Sequence, residues 1–373
     1  QKIIITFDKI APDALLTFTQ FAPVPKSEFE GIDPLQVQQA PFFQHPIGCG
    51  PFMVEEVNMK NYTILAPFDK YYNGVADFKI QLLPSAGDSD PNVVTRAKSG
   101  NLDYGYTKMV ADVQALEGTP GITVTPIDVR YTRLFYLNKF DKKDGSPAPL
   151  ADVRVRQALR YAIDMETICE TLFQGSAVPA NALAPDANLK GGDLNDYNYN
   201  PEKAKELLAE AGYPDGFSTT LWCSDTQVMR DSAVVIQEQL RQVGINAEVK
   251  TLESGQFQSE TGNGAHDMFI MSKTSIDPDS MLRSMYHTEA LGPSGNRCFW
   301  TTPEVDALID EASTTTDTEH AMELYAEIQS KVAEAAPLVP MAVEHLNAGM
   351  QSNVKGFGLY PGKSHYINGT YFE

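Results

Sequence analysis

Hydrophobic and polar positions change their rhythm along this chain. The opening run Gln1-Lys2-Ile3-Ile4-Ile5-Thr6-Phe7 is β-rich and predicts a core strand. Met53-Val54-Glu55-Glu56-Val57 and Tyr62-Thr63-Ile64-Leu65 flank Asn58-Met59-Lys60-Asn61, which predicts a hairpin with a four-residue loop. Asp90 as a cap, Pro91 in the first turn and Gly100 as a stop predict a helix up to Ser99. Leu102-Asp103-Tyr104-Gly105-Tyr106 then reads as a short strand. From about Tyr131 longer helices take over. Arg133 to Asn138 predicts a strand and Lys142 to Pro147 a loop; Asp152 caps a helix whose Val155, Leu159, Ala162 and Ile163 share one face. Asn200-Pro201 opens another helix, Glu202 to Ala211, which Gly212 ends. The strand Thr219 to Cys223, a helix from about Met229 to Val243 and the strand Ala247 to Thr251 have the spacing of a parallel pair with a crossover helix. A strand Asp267 to Met271 leads into a loop, Ser272 to Asp279. Two helices follow, Pro303 to Ala312 and Thr318 to Ala335, and Leu346 to Glu373 return to strands and turns.

The size, 373 residues and 41.0 kDa, suits more than one domain. With 29 Lys+Arg against 49 Asp+Glu, the net charge of −20 repels phosphate and argues against nucleic-acid binding through basic contacts. At 42% hydrophobic residues the chain buries a large core. Its most apolar stretch, Ala335 to Val343, is short and broken by Pro337 and Pro340, so no membrane span is expected. Residue 1 is Gln, and no basic-then-apolar leader follows it; a chain that opens inside a strand reads as a processed or truncated piece.

Candidate chemistry is sparse. The cysteines at 49, 169, 223 and 298 form no CxxC or Cys/His cluster, so no zinc or dithiol site is signalled and no disulfide pairing is predicted. Gly48-Cys49-Gly50 places a Cys on a turn without a partner base. Asp88-Ser89-Asp90 starts like a calcium loop, but Val93 and Ser99 stand where that loop needs Gly and Glu. The oxygen-rich run Asp193 to Tyr199 reads as a solvated loop, and Gly356-Phe357-Gly358 lacks a third fingerprint glycine. The six histidines are scattered and form no HExxH. No catalytic set, metal site or cofactor site assembles.

Several segments, taken in order, are more specific. His45-Pro46-Ile47-Gly48-Cys49-Gly50-Pro51-Phe52 resembles the P-(V/I)-G-T-G-P-(Y/F) motif of the family 5 extracellular solute-binding proteins, the peptide- and nickel-type binding subunits of ABC importers. Val153 to Asp164, VRVRQALRYAID, is similar to that family's VRQAxxYAID helix. Tyr199 to Phe217, YNPEKAKELLAEAGYPDGF, resembles its YxPEKAKxLLxEAGYPDGF stretch. Ile236 to Leu240, Val243-Gly244-Ile245 and Glu304 to Ile309 fit in the same order.

The resemblance implies a two-lobed α/β type II periplasmic-binding-protein fold with a hinge, missing its N-terminal subdomain. Lobe I would hold 1–137 and the returning tail 346–373, and lobe II 138–345. It further implies a non-enzymatic importer subunit without cofactor or metal, probing an extracytoplasmic space from the periplasm or from a lipid anchor on the outer face. Such a monomer captures a small solute in an interlobe cleft and delivers it to an ABC permease. By analogy, Tyr104, Gly105 and Tyr106 face the ligand from lobe I. Trp222, Cys223, Arg230, Lys273, Thr274 and Ser275 face it from lobe II, with Arg230 near the arginine that dipeptide binders use for the ligand carboxylate. The loop departs from the family's GWxxDxxDP: Ser272-Lys273-Thr274-Ser275-Ile276-Asp277-Pro278-Asp279 is two residues shorter, and Lys273 stands near the Trp position. The acid that holds a peptide's free amine has no counterpart. An unpaired buried ammonium is costly, so the expected solute lacks an essential free α-amine: an anionic solute, a blocked peptide or a metal chelate. Two other classes stay open on the residues alone, a ligand-sensing module of a transcriptional regulator with this fold, and a hydrolase.

Overall fold

Local capping chemistry sets many element boundaries. The Asp152 carboxylate accepts from the Arg154 amide, Asn200 from Lys203 and Thr302 from Val305, and Pro follows the cap directly in the last two. The computed structural model describes residues 3–8, 10–12, 14–18, 23–32, 37, 40–58, 60–85, 90–137, 148–174, 176–180, 198–274, 278–360 and 364–373. Asp88-Ser89, the expected loop Lys142 to Pro147, the run Asp193 to Tyr197 and Ser275 lie outside them.

The chain divides into two units, Gln1–Asp13 with Asp128–His345, and Ala14–Ile127 with Leu346–Glu373. The second unit starts with α1 (Ala14–Phe18) and the antiparallel strands β1 (Phe52–Asn58), β2 (Tyr62–Pro67) and β3 (Ile80–Leu82). Then come α2 (Asn92–Lys98), β4 (Tyr104–Thr107), α3 (Val110–Glu117) and the first residues of β5 (Ile122–Leu137). Val93, Ala97 and Leu116 form its buried cluster, with Leu102, Ile122 and Val124 packed on them.

The larger unit takes over within β5. Its elements are α4 (Val153–Ala162), α5 (Met165–Ile168), β6 (Ala177–Pro179), α6 (Pro201–Glu210), β7 (Phe217–Ser224), α7 (Gln227–Gln242) and β8 (Ile245–Leu252). After these come α8 (Ser254–Gly262), β9 (Met268–Thr274), α9 (Pro278–Tyr286), α10 (Pro303–Ala312), α11 (Thr318–Ala335) and β10 (Leu338–Gln351) up to His345. Its sheet runs β10-β5-β9-β7-β8, with β6 on the other edge of β10. β7 pairs in parallel with both β8 and β9, and α7 is the crossover that the spacing predicts. Side chains alternate: Leu221, Cys223, Met268 and Ile270 enter one core with α4, α6 and α7, while Trp222 and Phe269 enter the other with α9, α10 and α11. Helices covering both faces explain why Leu134–Leu137 and Met268–Met271 in the neighbouring strands β5 and β9 are unbroken apolar stretches.

The motif segments have structural work here. Arg156 is buried and donates to the carbonyls of Leu150, Ala151 and Ala335, while Gln157 and Arg160 donate to Glu334 and Ala333. Together they satisfy the orphan carbonyls at the C-terminus of α11. Gly216, at φ +76°, would place a Cβ 1.8 Å from the Gly244 carbonyl oxygen, so only Gly fits.

Beyond His345 the chain returns to the second unit. β10 pairs there with β4, Met350 opposite Tyr104 and Asn347 opposite Thr107. β11 (Val354–Lys355) pairs with the final β14 (Tyr371–Phe372), and β12 (Gly358–Tyr360) with β13 (Ser364–Tyr366).

Three expectations are corrected. Residues 3–7 form no strand and are exposed, Ile4 at 76%; a β-rich run becomes a strand only as part of a sheet, and the sheets of the described residues do not include it. β5 begins at Ile122 rather than Arg133, and the larger unit takes over within this strand, at Asp128. β9 continues through Thr274, which puts Ser272, Lys273 and Thr274 in the sheet opposite Arg133, Thr132 and Tyr131. Polar residues at a strand's end carry no periodic signal, but the ladder with β5 holds them extended.

Candidate functional site

In open α/β sheets ligands gather at the carboxyl ends of parallel strands. In the larger unit that edge is formed by β8, β7 and β9. At the end of β7, the Asp225 carboxylate accepts from Ser254 Oγ at 3.2 Å, and the Ser224 and Thr226 hydroxyls lie 3.4 Å apart. Arg230, in the first turns of α7, donates to the Asp225 carbonyl and to Gln227 Oε1, the latter at 2.6 Å. Its guanidinium thus fastens the loop that enters α7.

Trp222 and Cys223 precede this edge on opposite faces of β7. Trp222 is buried, donates through Nε1 to Thr220 Oγ1 at 3.0 Å and carries the Lys250 ammonium 4.1 Å above its ring. Cys223 has no exposed surface; its Sγ lies 3.6 Å from Thr251 Oγ1, and burial pushes its thiol above the usual range. Both are core side chains in this arrangement.

Lys273 is different. It follows Phe269 and Met271 on the same face of β9 and is half-buried, and its ammonium has no hydrogen-bond or ion-pair partner among the described residues. Burial lowers its pKa, and the positive Arg297 nearby lowers it further. Arg297 is itself half-buried and anchored at both ends: Nη1 donates to Thr261 Oγ1 at 2.7 Å, and its carbonyl accepts from His266 Nε2 at 3.0 Å. Burial holds the His266 imidazole neutral, with its pKa lowered to about 4. The His266 ring stands edge-on to Phe269 at 4.6 Å, and Phe269 stacks on Tyr136 at 4.4 Å. Thr274 ends β9, and Ser275 lies outside the described residues.

In the smaller unit, Tyr104 and Tyr106 share one face of β4, with ring centroids 6.4 Å apart. Tyr104 packs on Phe357 at 4.6 Å, and its hydroxyl meets His365 Nε2 at 2.9 Å. Burial, with Tyr106 beside it, raises the Tyr104 hydroxyl pKa. Gly105 faces the other way: a Cβ there would lie 2.8 Å from Leu102 Cδ2 and 3.2 Å from Val93 Cγ1, so the glycine lets β4 close on α2. Phe357 and His365 join this aromatic group beside and within the paired strands β12 and β13, and Thr261 and His266 fix Arg297. None had a local sequence signal, because each is placed by tertiary contact.

Among the described residues no group of three or more His, Cys, Asp or Glu could hold a metal.

The fold defines the class. The chain superposes on the ABC transporter-associated periplasmic binding protein DppA from Helicobacter pylori, solved with peptide STSA, at a TM-score of 0.79 and 25% identity, over 94% of this chain and 68% of that one. This is the two-lobed periplasmic-binding-protein fold. The sequence model of the bacterial extracellular solute-binding proteins, family 5, matches residues 1–292, and the chain belongs to that family. It is 28% identical over 329 residues to the glutathione-binding protein GsiB of Salmonella choleraesuis, covering 85% of this chain and 62% of that protein. It is 29% identical over 333 residues to the dipeptide-binding protein of Escherichia coli K12, covering 87% of this chain and 61% of that one. The chain therefore spans about three-fifths of the length of these curated relatives.

Proposed function

We propose that this protein is the substrate-binding component of an ABC importer, working outside the cytoplasmic membrane as a monomer and handing an intact small solute to its permease. The observation that carries the reading is the family match across residues 1–292. The relatives' named ligands, glutathione and dipeptides, make a small peptide-like solute the natural class. A carrier needs polar groups that replace the solute's hydration and a closure that excludes water, but no bond-breaking set. Tyr104 and Tyr106 would offer aromatic faces from lobe I, and the carboxyl edge bearing Arg230, Lys273 and Thr274 would meet the solute from lobe II. Gly105, Trp222 and Cys223 would shape these surfaces from behind. With Lys273 where family members carry Trp, and no amine-binding acid in the loop, the solute would be a blocked or acidic peptide-like molecule. Native mass spectrometry of the protein purified from its own host should release one small molecule, unmodified, and a strain lacking the gene should lose uptake of it. Recovery of cleaved products, or unchanged uptake in the deletion strain, would overturn the reading.

A further inference from the structure

We infer that Asn73-Gly74, in the smaller unit, is a site of spontaneous deamidation, and that the fold protects the two other Asn-Gly pairs of the chain, Asn263-Gly264 and Asn368-Gly369. The inference is independent of the importer reading.

The reaction needs only the chain and water. The glycine nitrogen, once its proton has passed to hydroxide, bonds to the side-chain carbonyl carbon of the asparagine. The Cγ–Nδ2 bond breaks, the departing nitrogen takes a proton from water and leaves as ammonia, and a five-membered imide remains. Water then adds to one of the two imide carbonyls and opens the ring to aspartate or isoaspartate, so a carboxylate stands where the amide was. Asparagine is thermolabile, and a following glycine, with no Cβ, obstructs this attack least. The three pairs differ in whether the ring can close.

Asn73 and Gly74 are both exposed, and a Cβ on Gly74 would meet no atom within 4 Å. The Asn368 side-chain amide donates to the Asn73 carbonyl at 3.0 Å and to the Gly74 carbonyl at 3.3 Å. These bonds hold main-chain oxygens and involve neither reacting atom, the Asn73 side-chain carbon and the Gly74 nitrogen.

The same bonds protect Asn368. Its Nδ2 is the atom that would depart, and two carbonyls grip it. Its Oδ1 is buried without a hydrogen-bond partner among the described residues, so negative charge developing there during the attack would go unsolvated. Asn263 is exposed but held by conformation. It caps the C-terminal end of α8 at φ −85° and ψ −1°, where the next nitrogen eclipses its own nitrogen instead of approaching the side-chain carbon. That next nitrogen, of Gly264, also donates its proton to the Thr261 carbonyl at 3.2 Å. Closing the ring would unwind the end of the helix.

The test incubates the full chain, folded and in urea, at neutral and mildly alkaline pH. Trypsin leaves the three asparagines in separate peptides, 71–79, 251–273 and 364–373, so mass spectrometry reads each alone. In the folded chain, peptide 71–79 should convert about tenfold faster than the other two, and in urea the three rates should agree within about twofold. Conversion should quicken with rising pH, because the attacking nitrogen must first lose its proton. Asn73→Gln should remove the early acidic species on anion exchange. Peptide 251–273 or 364–373 converting as fast as 71–79 in the folded chain would overturn the inference. So would an intact 71–79 over the time in which urea-unfolded chain converts, or the same ratio of rates folded and unfolded.

Discussion

The two units enclose their apolar residues in different ways. In the larger one the sheet lies between two clusters of fully buried side chains, Leu159, Ile236 and Met268 on one face and Phe269, Tyr286 and Ile328 on the other. In the smaller one Val93, Ala97 and Leu116 make up the buried cluster, while Tyr72 is 87% exposed and Val75, Met53 and Leu82 are exposed as well. A parallel βαβ crossover lays a helix over the sheet it joins, whereas short antiparallel strands can leave one face open. Two glycines at positive φ, one in each unit, sample the two settings. Gly216→Ala drives a Cβ to 1.8 Å from the Gly244 carbonyl oxygen at φ +76°, and the expected loss is about 4 kcal/mol. Gly74→Ala, at φ +89° with no atom within 4 Å, should cost about 1 kcal/mol, the left-handed strain alone. Urea unfolding followed by circular dichroism reads both. Equal losses would break the comparison.

The same contrast explains what the sequence disclosed. The 217–252 βαβ unit, the capped helices α4, α6 and α10 and the hairpin were legible because their determinants are local: an apolar period, a capping side chain, a glycine stop. Residues 3–7 misled, since Ile3-Ile4-Ile5 has the composition of a strand but joins none of the sheets of the described residues. The extension of β9 to Thr274 was hidden because Ser272-Lys273-Thr274 is polar and only the β5 ladder straightens it. Of the candidate site, Tyr104, Tyr106 and Lys273 were readable as residues. Arg297, His365 and Phe357 were not, since Thr261, His266 and Tyr104 place them from distant stretches of chain.

A second difference between the units is a buried histidine. His266 lies in the core of the larger unit with its pKa lowered from 6.5 to about 4, chiefly by burial. Above the unfolded value near 6.5 both states are neutral and the stability of the larger unit is whole. As pH falls below that value the unfolded chain takes up a proton that the folded chain refuses until about 4, so stability declines through this window by about 3 kcal/mol. His266→Gln, which keeps an N–H donor for the Arg297 carbonyl, should flatten that part of the profile. Urea midpoints at several pH values between 7 and 4 for both proteins isolate the effect from the carboxylates they share. Parallel profiles would show that His266 is protonated in the folded unit and that its core admits water.

The smallest expected effect on stability gives the sharpest division between the units. Cys49 is exposed, whereas Cys169, Cys223 and Cys298 are buried in the two cores of the larger unit. Reaction with a disulfide reagent needs a reachable thiolate. Burial denies access to the three core thiols and also raises the pKa of Cys223 and Cys298. Native protein should therefore yield one fast equivalent of reacted thiol, lost in Cys49→Ser, and urea-unfolded protein four. Labelling Cys49 should move the unfolding midpoint little, by an amount equal to roughly 0.5 kcal/mol or less, as for other exposed sites. A second fast thiol in Cys49→Ser would have to come from the larger unit, and its core would then open on the timescale of the reaction. That result would remove the contrast between an enclosed unit and an open one, because enclosure is a statement about access as much as about packing.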